Sequence, residues 1–180
     1  MSKIIVPISN GFEEIEAISI IDICRRAQIE VTIAAVENIE TIGAHNIKIT
    51  ADCMINEVDE NEFDMIILPG GLPNAFTLAD NEKVQSLLKQ FKENDKNIGA
   101  ICAAPYALHK ANVLNENFTC YPSFEEKIRV NGYQSNTPVV KDGKVITSRG
   151  PATAMSFALE VVRVLKGDDV SENIKKAVLA

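Results

Sequence analysis

One cysteine in this sequence has the surroundings of a nucleophile. Cys102 lies in the segment Gly99–Pro105, where an apolar run ends, a helical pattern begins and most neighbours are glycine or alanine. A residue at such a strand-to-helix corner has a cramped backbone, and small neighbours avoid a clash there. The thiol would then lie at the positive end of the following helix, which favours the thiolate. The alternative is a structural cysteine that packs as a small hydrophobic residue.

A carboxyl group on an apolar helix face is the second candidate. Glu16 is followed by Ile20, Ile23 and Ala27 at helical spacing, which places its side chain on the face that packs against a sheet. Burial of a carboxyl raises its pKa, so it can hold a proton near neutral pH. Glu16 is therefore a candidate proton donor to a thiolate. The alternative is a carboxyl at the edge of the apolar stripe that bends into solvent.

Two further segments follow apolar runs and are candidates for binding. Leu68–Gly71 ends in two glycines, which allow backbone amides to face a crevice at the carboxyl edge of a sheet, where α/β proteins bind ligands. We predict that the amides of Gly71 and Ala103 form an oxyanion hole beside the cysteine, with an ordinary turn as the alternative reading of the glycines. Arg149, just before Gly150-Pro151, is a candidate anchor for an anion, and its alternative is a surface arginine.

The elements that would position these residues alternate between strand and helix patterns. Strands are predicted at 3–8, 29–36, 65–68 and 98–101, and helices at 13–27, 81–93, 151–165 and 170–179. The continuously apolar runs indicate central strands of a parallel sheet that helices cover on both faces. In segments 43–55 and 138–147, apolar and polar residues alternate more, which predicts edge strands or hairpins. Asn10 and Glu13 form a predicted capping pair that starts the first helix near Gly11.

Size and charge narrow the class of protein. The 180 residues, 46% of them hydrophobic, predict one domain over 1–180 with a full core. A net charge of -7 argues against nucleic acid or anionic membranes as partners. No apolar run approaches the roughly 20 residues of a membrane span and no signal peptide is recognisable, so a cytoplasmic location is predicted. The four cysteines form no CxxC pair, which predicts reduced thiols and no metal site.

Five motifs occur in order over nearly the whole chain. They are Gly11–Glu16, Cys24–Ala27, Leu68–Gly71, Ala100–Pro105 and Thr147–Pro151. Together they resemble the landmarks of the ThiJ/PfpI superfamily, in the branch of the Parkinson-disease-associated protein deglycase. The resemblance implies a flavodoxin-like α/β three-layer sandwich with a mostly parallel central sheet, and a homodimer. It also implies a nucleophilic or oxidisable Cys102, a protonated Glu16 bonded to its sulfur, oxyanion-type amides at Gly71 and Ala103, and activity on glyoxals or glycated groups.

The chain departs from that family in its histidines. Many relatives carry a histidine before a proline on the segment after the nucleophile helix, where this chain has Tyr121. The intracellular-protease branch has a histidine directly after the cysteine, where Ala103 stands here. His45 lies on the edge segment and His109 two helical turns beyond the cysteine, so neither is an obvious base and a peptidase is not expected. Tyr121, Arg149 and His45 remain candidate pocket residues.

We therefore expect a cytoplasmic homodimeric enzyme of the glyoxalase or deglycase kind, acting on small aldehydes or glycated groups without cofactor or metal. Cys102 would add to the aldehyde carbon and Glu16 would carry the proton. The dimer interface is expected around Arg25, Arg26 and His45. The alternative is a non-enzymatic sensor of oxidative stress in which Cys102 is oxidised to a sulfinate. A small-molecule carrier is disfavoured because GxGxxG and Walker loops are missing.

Overall fold

A seven-stranded sheet forms the centre of the computed structural model, which describes residues 2–180. In spatial order its strands are β5 (Cys53–Met54), β2 (Glu30–Ala35), β1 (Lys3–Ile8), β6 (Met65–Leu68), β7 (Asn97–Ile101), β9 (Val145–Ser148) and β8 (Val139–Asp142). Neighbouring strands are parallel except β9 and β8, which form an antiparallel hairpin. Strands β3 (Glu40–Ile42) and β4 (Lys48–Thr50) pair separately as a second hairpin.

Helices cover both faces of this sheet. They are α1 (Glu14–Arg26), α2 (Asn74–Asp80), α3 (Glu82–Glu93), α4 (Pro105–Lys110), α5 (Glu125–Ile128), α6 (Ala154–Lys166) and α7 (Asp168–Ala177), with 3₁₀ turns at Ile55–Glu57, Glu60–Glu62 and Pro151–Thr153. Helices α1 and α6 contribute to the core on one face, and α2, α3 and α4 contribute to the core on the other. Within residues 2–180, no helix combines the length and apolar character needed to cross a membrane.

The side-chain alternation of the central strands explains the two cores. In β1, Ile4, Val6 and Ile8 enter the core under α1 and α6, whereas Ile5 enters the opposite core. All four are fully buried. Successive side chains of a strand point to opposite faces, so a strand that is apolar throughout requires cover on both sides. The predicted three-layer α/β sandwich with a mostly parallel sheet is therefore confirmed.

The start of α1 differs from its prediction. The helix begins at Glu14, and Glu13 at the N-cap makes no capping hydrogen bond through its side chain. Asn10 does not cap the helix, because its Oδ1 accepts the amide of Ile42 at 2.9 Å. The side chain that was predicted to start a helix thus fastens the β3–β4 hairpin to the end of β1. The second strand of that hairpin, β4, lies within segment 43–55, where alternation predicted edge structure, whereas β3 precedes that segment.

Candidate active site

Cys102 lies at a strained corner between β7 and α4. Its φ of 64° is in the left-handed region, which is unfavourable for a residue with a side chain. Two long-range hydrogen bonds hold this conformation: the Cys102 amide donates to the Ser148 carbonyl at 2.9 Å, and the Tyr121 amide donates to the Cys102 carbonyl at 2.8 Å. The residue is 9% exposed, so the thiol is nearly buried but reachable. The predicted strand-to-helix corner is present.

The glycines after β6 allow close contact with this corner. A Cβ at position 70 would lie 2.6 Å from the Cys102 Cβ and 2.8 Å from Glu16 Oε2. Gly71 has a φ of 90°, and a Cβ there would collide with the carbonyl oxygen of Gly11. Side chains at these positions would push the loop away from the cysteine and the glutamate. Glycine is therefore needed at both positions to keep the loop close to Cys102 and Glu16, as well as to form the turn.

Glu16 is fully buried beneath Cys102, as the periodicity of α1 predicted. Its Oε2 accepts the Gly70 amide at 2.8 Å. Burial raises the pKa of Glu16 to about 7, against the opposing hydrogen bonds from Gly70 and Cys102. Its Oε1 is buried and has no hydrogen-bond partner of good geometry within residues 2–180. The Glu16 carboxyl and the Cys102 thiol nevertheless lie close enough to shift each other's pKa. A proton on Oε1 is thus available to a thiolate.

The electrostatics of Cys102 differ from the sequence-based expectation. Burial, followed by the charge and hydrogen bond of Glu16, raises the pKa of the thiol, while the amides of Gly71 and Ala103 lower it. Burial is the largest of these effects, so the two amides leave the pKa of the thiol above its ordinary value. The repulsion from Glu16 disappears when the carboxyl is protonated, and the thiolate then has three donors. The ionisation of Glu16 therefore affects that of Cys102, and two negative charges together in this site are unfavourable.

A cavity of about 410 Å³ opens above the sulfur. Its lining residues come from the ends of several elements: Glu13, Ala44, Gly71, Leu72, Cys102, Ala103, Tyr121, Phe124 and Pro151. Tyr121, one of the candidate pocket residues, lines this cavity and is 48% exposed. The volume falls in the range of small-molecule sites, which is about 300–1,000 Å³. The structure thus brings four of the candidate residues, Cys102, Gly71, Ala103 and Tyr121, to one opening.

Arg149 lies beside this cavity rather than in its wall. It lines a smaller adjoining cavity of about 210 Å³, which shares Tyr121 and Pro151 with the first. Its Nε is buried without a hydrogen-bond partner among the described residues. The guanidinium lies near Cys120, where burial raises the thiol pKa to about 12 and the arginine opposes that rise. An anion bound by Arg149 would therefore lie beside the Cys102 cavity and would not contact the sulfur of Cys102.

His45 lies at the rim, on the turn between β3 and β4. Its Nδ1 is 2.8 Å from Glu14 Oε2, and its amide donates to Glu14 Oε1 at 2.6 Å. Burial raises the pKa of Glu14, but the hydrogen bonds from His45 and Ile47 lower it overall, and the same contact raises the pKa of His45. Glu13, Glu14 and His45 place ligand atoms within 4.8 Å of one another and form the one potential metal-binding group among residues 2–180.

Asn74 is a buried polar residue at the site that the sequence patterns did not reveal. It is fully buried at the start of α2, directly after the glycine loop. Its side chain makes three hydrogen bonds, to Ser9, Pro69 and Gly70. The only sequence signal was an asparagine close to a Pro-Gly-Gly turn, where asparagine is common for local reasons.

Comparison with known proteins identifies relatives over nearly the whole chain. The model of the DJ-1/PfpI family matches residues 2–164. Protein dj-1beta of Drosophila melanogaster is 37% identical over 99% of this chain and 98% of its own length. The glutathione-independent glyoxalase DJR-1.2 of Caenorhabditis elegans is 34% identical over 91% of this chain and 88% of its own. Protein DJ-1 homolog B of Arabidopsis thaliana is 37% identical over 98% of this chain, which spans 41% of that longer relative.

Solved structures have the same architecture. The crystal structure of Drosophila melanogaster DJ-1beta superimposes with a TM-score of 0.96 at 36% identity, covering 100% of this chain and 99% of the other. The structure of oxidized Toxoplasma gondii DJ-1 gives a TM-score of 0.94 at 35% identity, covering 99% of this chain and 98% of the other. The order of strands and helices described above is therefore the architecture of these proteins.

Proposed function

Because the chain belongs to the DJ-1/PfpI family, we propose that it is a cysteine-dependent enzyme of the glyoxalase or deglycase type, acting on reactive aldehydes or glycated groups. The observation that carries this proposal is the arrangement at Cys102: a thiol open to a cavity, a buried Glu16 with a raised pKa, and the amides of Gly71 and Ala103 at the sulfur. A relative named as a glutathione-independent glyoxalase supports the same class of substrate.

The first step is addition of the thiolate to an aldehyde carbon. The sulfur forms a bond to carbon while the carbonyl π pair moves to oxygen, which becomes an alkoxide. The Gly71 and Ala103 amides stabilise that charge, since amides that are already oriented need no rearrangement. Glu16 supplies the proton that converts the alkoxide to a hemithioacetal hydroxyl. A carboxyl with a pKa of about 7 holds such a proton at neutral pH and can take it back.

For a 2-oxoaldehyde, the same groups complete the conversion to a 2-hydroxy acid. The Glu16 carboxylate removes the hydrogen of the former aldehyde carbon as a proton. The electrons of the broken C–H bond form a carbon–carbon double bond as the ketone π pair moves to its oxygen, which gives an enediolate. The hydroxyl on the former aldehyde carbon gives its proton to the enediolate oxygen and becomes the thioester carbonyl. The carbon–carbon double bond takes the proton back from Glu16 at the adjacent carbon, which leaves a 2-hydroxy thioester on Cys102. Water then hydrolyses the thioester and regenerates the thiol. The net reaction adds one water to the substrate and needs no external oxidant or reductant.

A lactate assay with methylglyoxal tests this proposal. Cys102→Ser should abolish lactate formation, and Glu16→Gln should reduce kcat by ~10²–10⁴-fold, the usual contribution of a general acid-base group. Cys53→Ser is the matched control, because Cys53 is a partly exposed cysteine on edge strand β5 and should leave turnover unchanged. Full activity of the Cys102→Ser variant would overturn the mechanism.

A second function, sensing of oxidative stress, uses the same residues. Two peroxide molecules would each transfer one oxygen to the sulfur and leave as water, converting the thiolate to a sulfinate. The three donors at Cys102 can stabilise sulfinate oxygens as well as an alkoxide. The similar Toxoplasma gondii DJ-1 has a solved structure in an oxidized form. This supports oxidation as an alternative role for the thiol of this chain.

Mass spectrometry after peroxide treatment separates the two roles. A sensor should gain two oxygen atoms at Cys102 at low peroxide and form negligible lactate from methylglyoxal. An enzyme should form lactate in its reduced state and lose that activity as the sulfinate accumulates. Oxidation that occurs first at Cys24, Cys53 or Cys120 would contradict the sensor.

A further inference from the structure

The side chain of Asn74 connects the end of β1 to the glycine loop after β6. Its Oδ1 accepts the Ser9 amide at 2.7 Å, and its Nδ2 donates to the carbonyls of Pro69 and Gly70, each at 2.9 Å. The orientation of the side-chain amide follows from these partners, because a backbone N–H only donates and a carbonyl only accepts. Both hydrogens of Nδ2 are thereby used. Asn74 touches neither Cys102 nor Glu16 through these bonds.

The direction of two catalytic amides depends on the carbonyls that Asn74 holds. In a planar trans peptide, the C=O of one residue and the N–H of the next point in opposite directions. With the Pro69 carbonyl held by Asn74, the Gly70 amide points the other way and donates to Glu16 Oε2 at 2.8 Å. With the Gly70 carbonyl held by Asn74 and by the Glu13 amide at 3.0 Å, the Gly71 amide points to the sulfur of Cys102.

Two adjacent glycines make this support necessary. Glycine adopts positive and negative φ with similar ease, so the peptide planes in such a loop can rotate at little cost. A flipped Gly70–Gly71 plane would present a carbonyl oxygen to the thiolate in place of a donor. The bonds from Asn74 oppose this rotation in both planes at once. The Ser9 bond in turn fixes Asn74 to the central strand β1.

We propose that Asn74 is a positioning residue, which orients the Gly70 amide toward Glu16 and the Gly71 amide toward Cys102 by holding the two carbonyls behind them. The proposal deepens the function given above, since it assumes that Cys102 is the reactive thiol. It does not depend on the identity of the substrate, because the amides act on the thiolate itself.

Alkylation of Cys102 by iodoacetamide over a range of pH tests this role. Asn74→Leu keeps most of the side-chain volume but cannot form the three hydrogen bonds. Asn74→Ala removes the side-chain volume as well as the hydrogen bonds. In each variant the midpoint of the pH profile should rise by about one unit, which lowers the alkylation rate at pH 7 about tenfold. In the methylglyoxal assay, kcat should fall about tenfold or more with little change in KM, because the lost contacts serve the reacting atoms.

Asn81→Ala is the matched control. Asn81 caps α3 by accepting the Val84 amide at 3.0 Å, so its loss weakens a neighbouring helix without touching the glycine loop. This variant should lose thermal stability and keep the wild-type profile of Cys102. Unchanged Cys102 profiles in folded Asn74 variants would overturn the proposal. An unreactive Cys102 in the wild-type protein would instead contradict the proposed function.

A measurement on the wild-type protein covers the case in which the variants do not fold. Nuclear magnetic resonance relaxation of the Gly70 and Gly71 amides should give order parameters of about 0.85, the value of rigid backbone. Scalar couplings across hydrogen bonds should connect the Asn74 side-chain nitrogen to the carbonyl carbons of Pro69 and Gly70. Order parameters below about 0.6, or couplings absent where comparable backbone pairs show them, would overturn the positioning role.

Discussion

One shared proton explains how two buried acids can work together. An ionised Glu16 beside an ionised Cys102 would place two negative charges in a buried site, which is unfavourable. The charge therefore resides on one group while the other keeps the proton. Substrate addition to the sulfur removes the thiolate charge and moves it to an oxygen, where the Gly71 and Ala103 amides and the Glu16 proton can receive it. Burial of Glu16 thus raises its pKa, so that the carboxyl holds the proton that the reaction needs.

The raised pKa of Glu16 predicts a pH dependence of folding stability. In the unfolded chain Glu16 ionises at its ordinary value of 4.5, whereas the folded protein keeps it protonated up to about 7. The resulting stabilisation is complete below pH 4.5 and is lost as the pH rises through about 7, with a loss of about 3 kcal/mol. Urea denaturation of wild type and Glu16→Gln between pH 4.5 and 8 should show the wild-type protein losing this amount relative to the variant. Parallel curves would contradict the buried acid.

Tyr121 predicts slow turnover that a histidine should accelerate. The phenol faces the cavity and can donate a hydrogen bond, but histidine is the side chain that most often transfers protons in catalysis. A histidine at this position could accept protons from the substrate or from water. Tyr121→His should therefore raise kcat for methylglyoxal detectably, within the ~10²–10⁴-fold that acid-base assistance provides. Tyr121→Phe, the control without a polar group, should be no faster than wild type. Equal rates in all three proteins would exclude a role for this position.

At the scale of elements, the active site depends on how closely three loops approach one another. The loop after β1, the glycine loop after β6 and the corner after β7 all lie at the carboxyl edge of the sheet. Gly71 is in contact with Gly11, Phe12 and Glu13, so the first two loops touch through backbone. Strand pairing brings these ends together, and glycine permits the final contact. The site is therefore sensitive to volume at Gly71.

Gly71→Ala should cost more stability than an alanine at a glycine of similar φ. Gly167 has a φ of 92°, close to the 90° of Gly71, but a Cβ there meets nothing within 4 Å. Both substitutions incur the strain of a positive φ, about 1–3 kcal/mol. Gly71→Ala adds a collision with backbone and should also abolish lactate formation, whereas Gly167→Ala should keep it. Thermal denaturation and the methylglyoxal assay measure the two effects. Similar stability losses would show that the Gly71 contact is unimportant.

At the scale of the whole molecule, an apolar surface combines α1 with two segments that contact the start of this helix, the β3–β4 hairpin and the loop after β6. Its members are large side chains between 40% and 57% exposed: Ile15, Ile18, Ile42, Ile47 and Leu72. A cluster of this kind marks an interaction site. Arg25 and Arg26, which were expected at the interface together with the segment near His45, form ion pairs with Asp52 and Asp22 of their own chain and stay about half exposed, so that expectation remains a prediction. We propose that the apolar surface is the homodimer interface.

Light scattering tests the dimer. The wild-type protein should have twice the 19.7 kDa mass of the chain, and Ile18→Lys should shift it to the monomer mass because a charge would be buried at the interface. Val130→Lys is the control, since Val130 is 70% exposed outside this surface and its substitution should leave the dimer intact. A monomeric wild-type protein would refute the proposal.

The sequence by itself determined the features that depend on neighbouring residues. The apolar runs of β1, β6 and β7 predicted buried central strands, because a strand covered on both faces needs no polar alternation. The small residues around Cys102 predicted a tight corner, and the helical spacing after Glu16 predicted its buried face. Each of these inferences uses the period of one element or the sterics of one turn. Such information is contained in short stretches of chain.

Only the tertiary structure decided the features that join distant segments. Asn10 was a good helix cap by its local pattern, but Ile42, which is remote in sequence, offered its side chain a different donor. The pKa of Cys102 rises because of burial and Glu16, and neither effect follows from the residues next to the cysteine. Asn74 acts through Ser9, Pro69 and Gly70, which meet only after β1 and β6 pair. Hydrogen bonds and desolvation depend on which groups come together in space, and local sequence patterns do not contain that information.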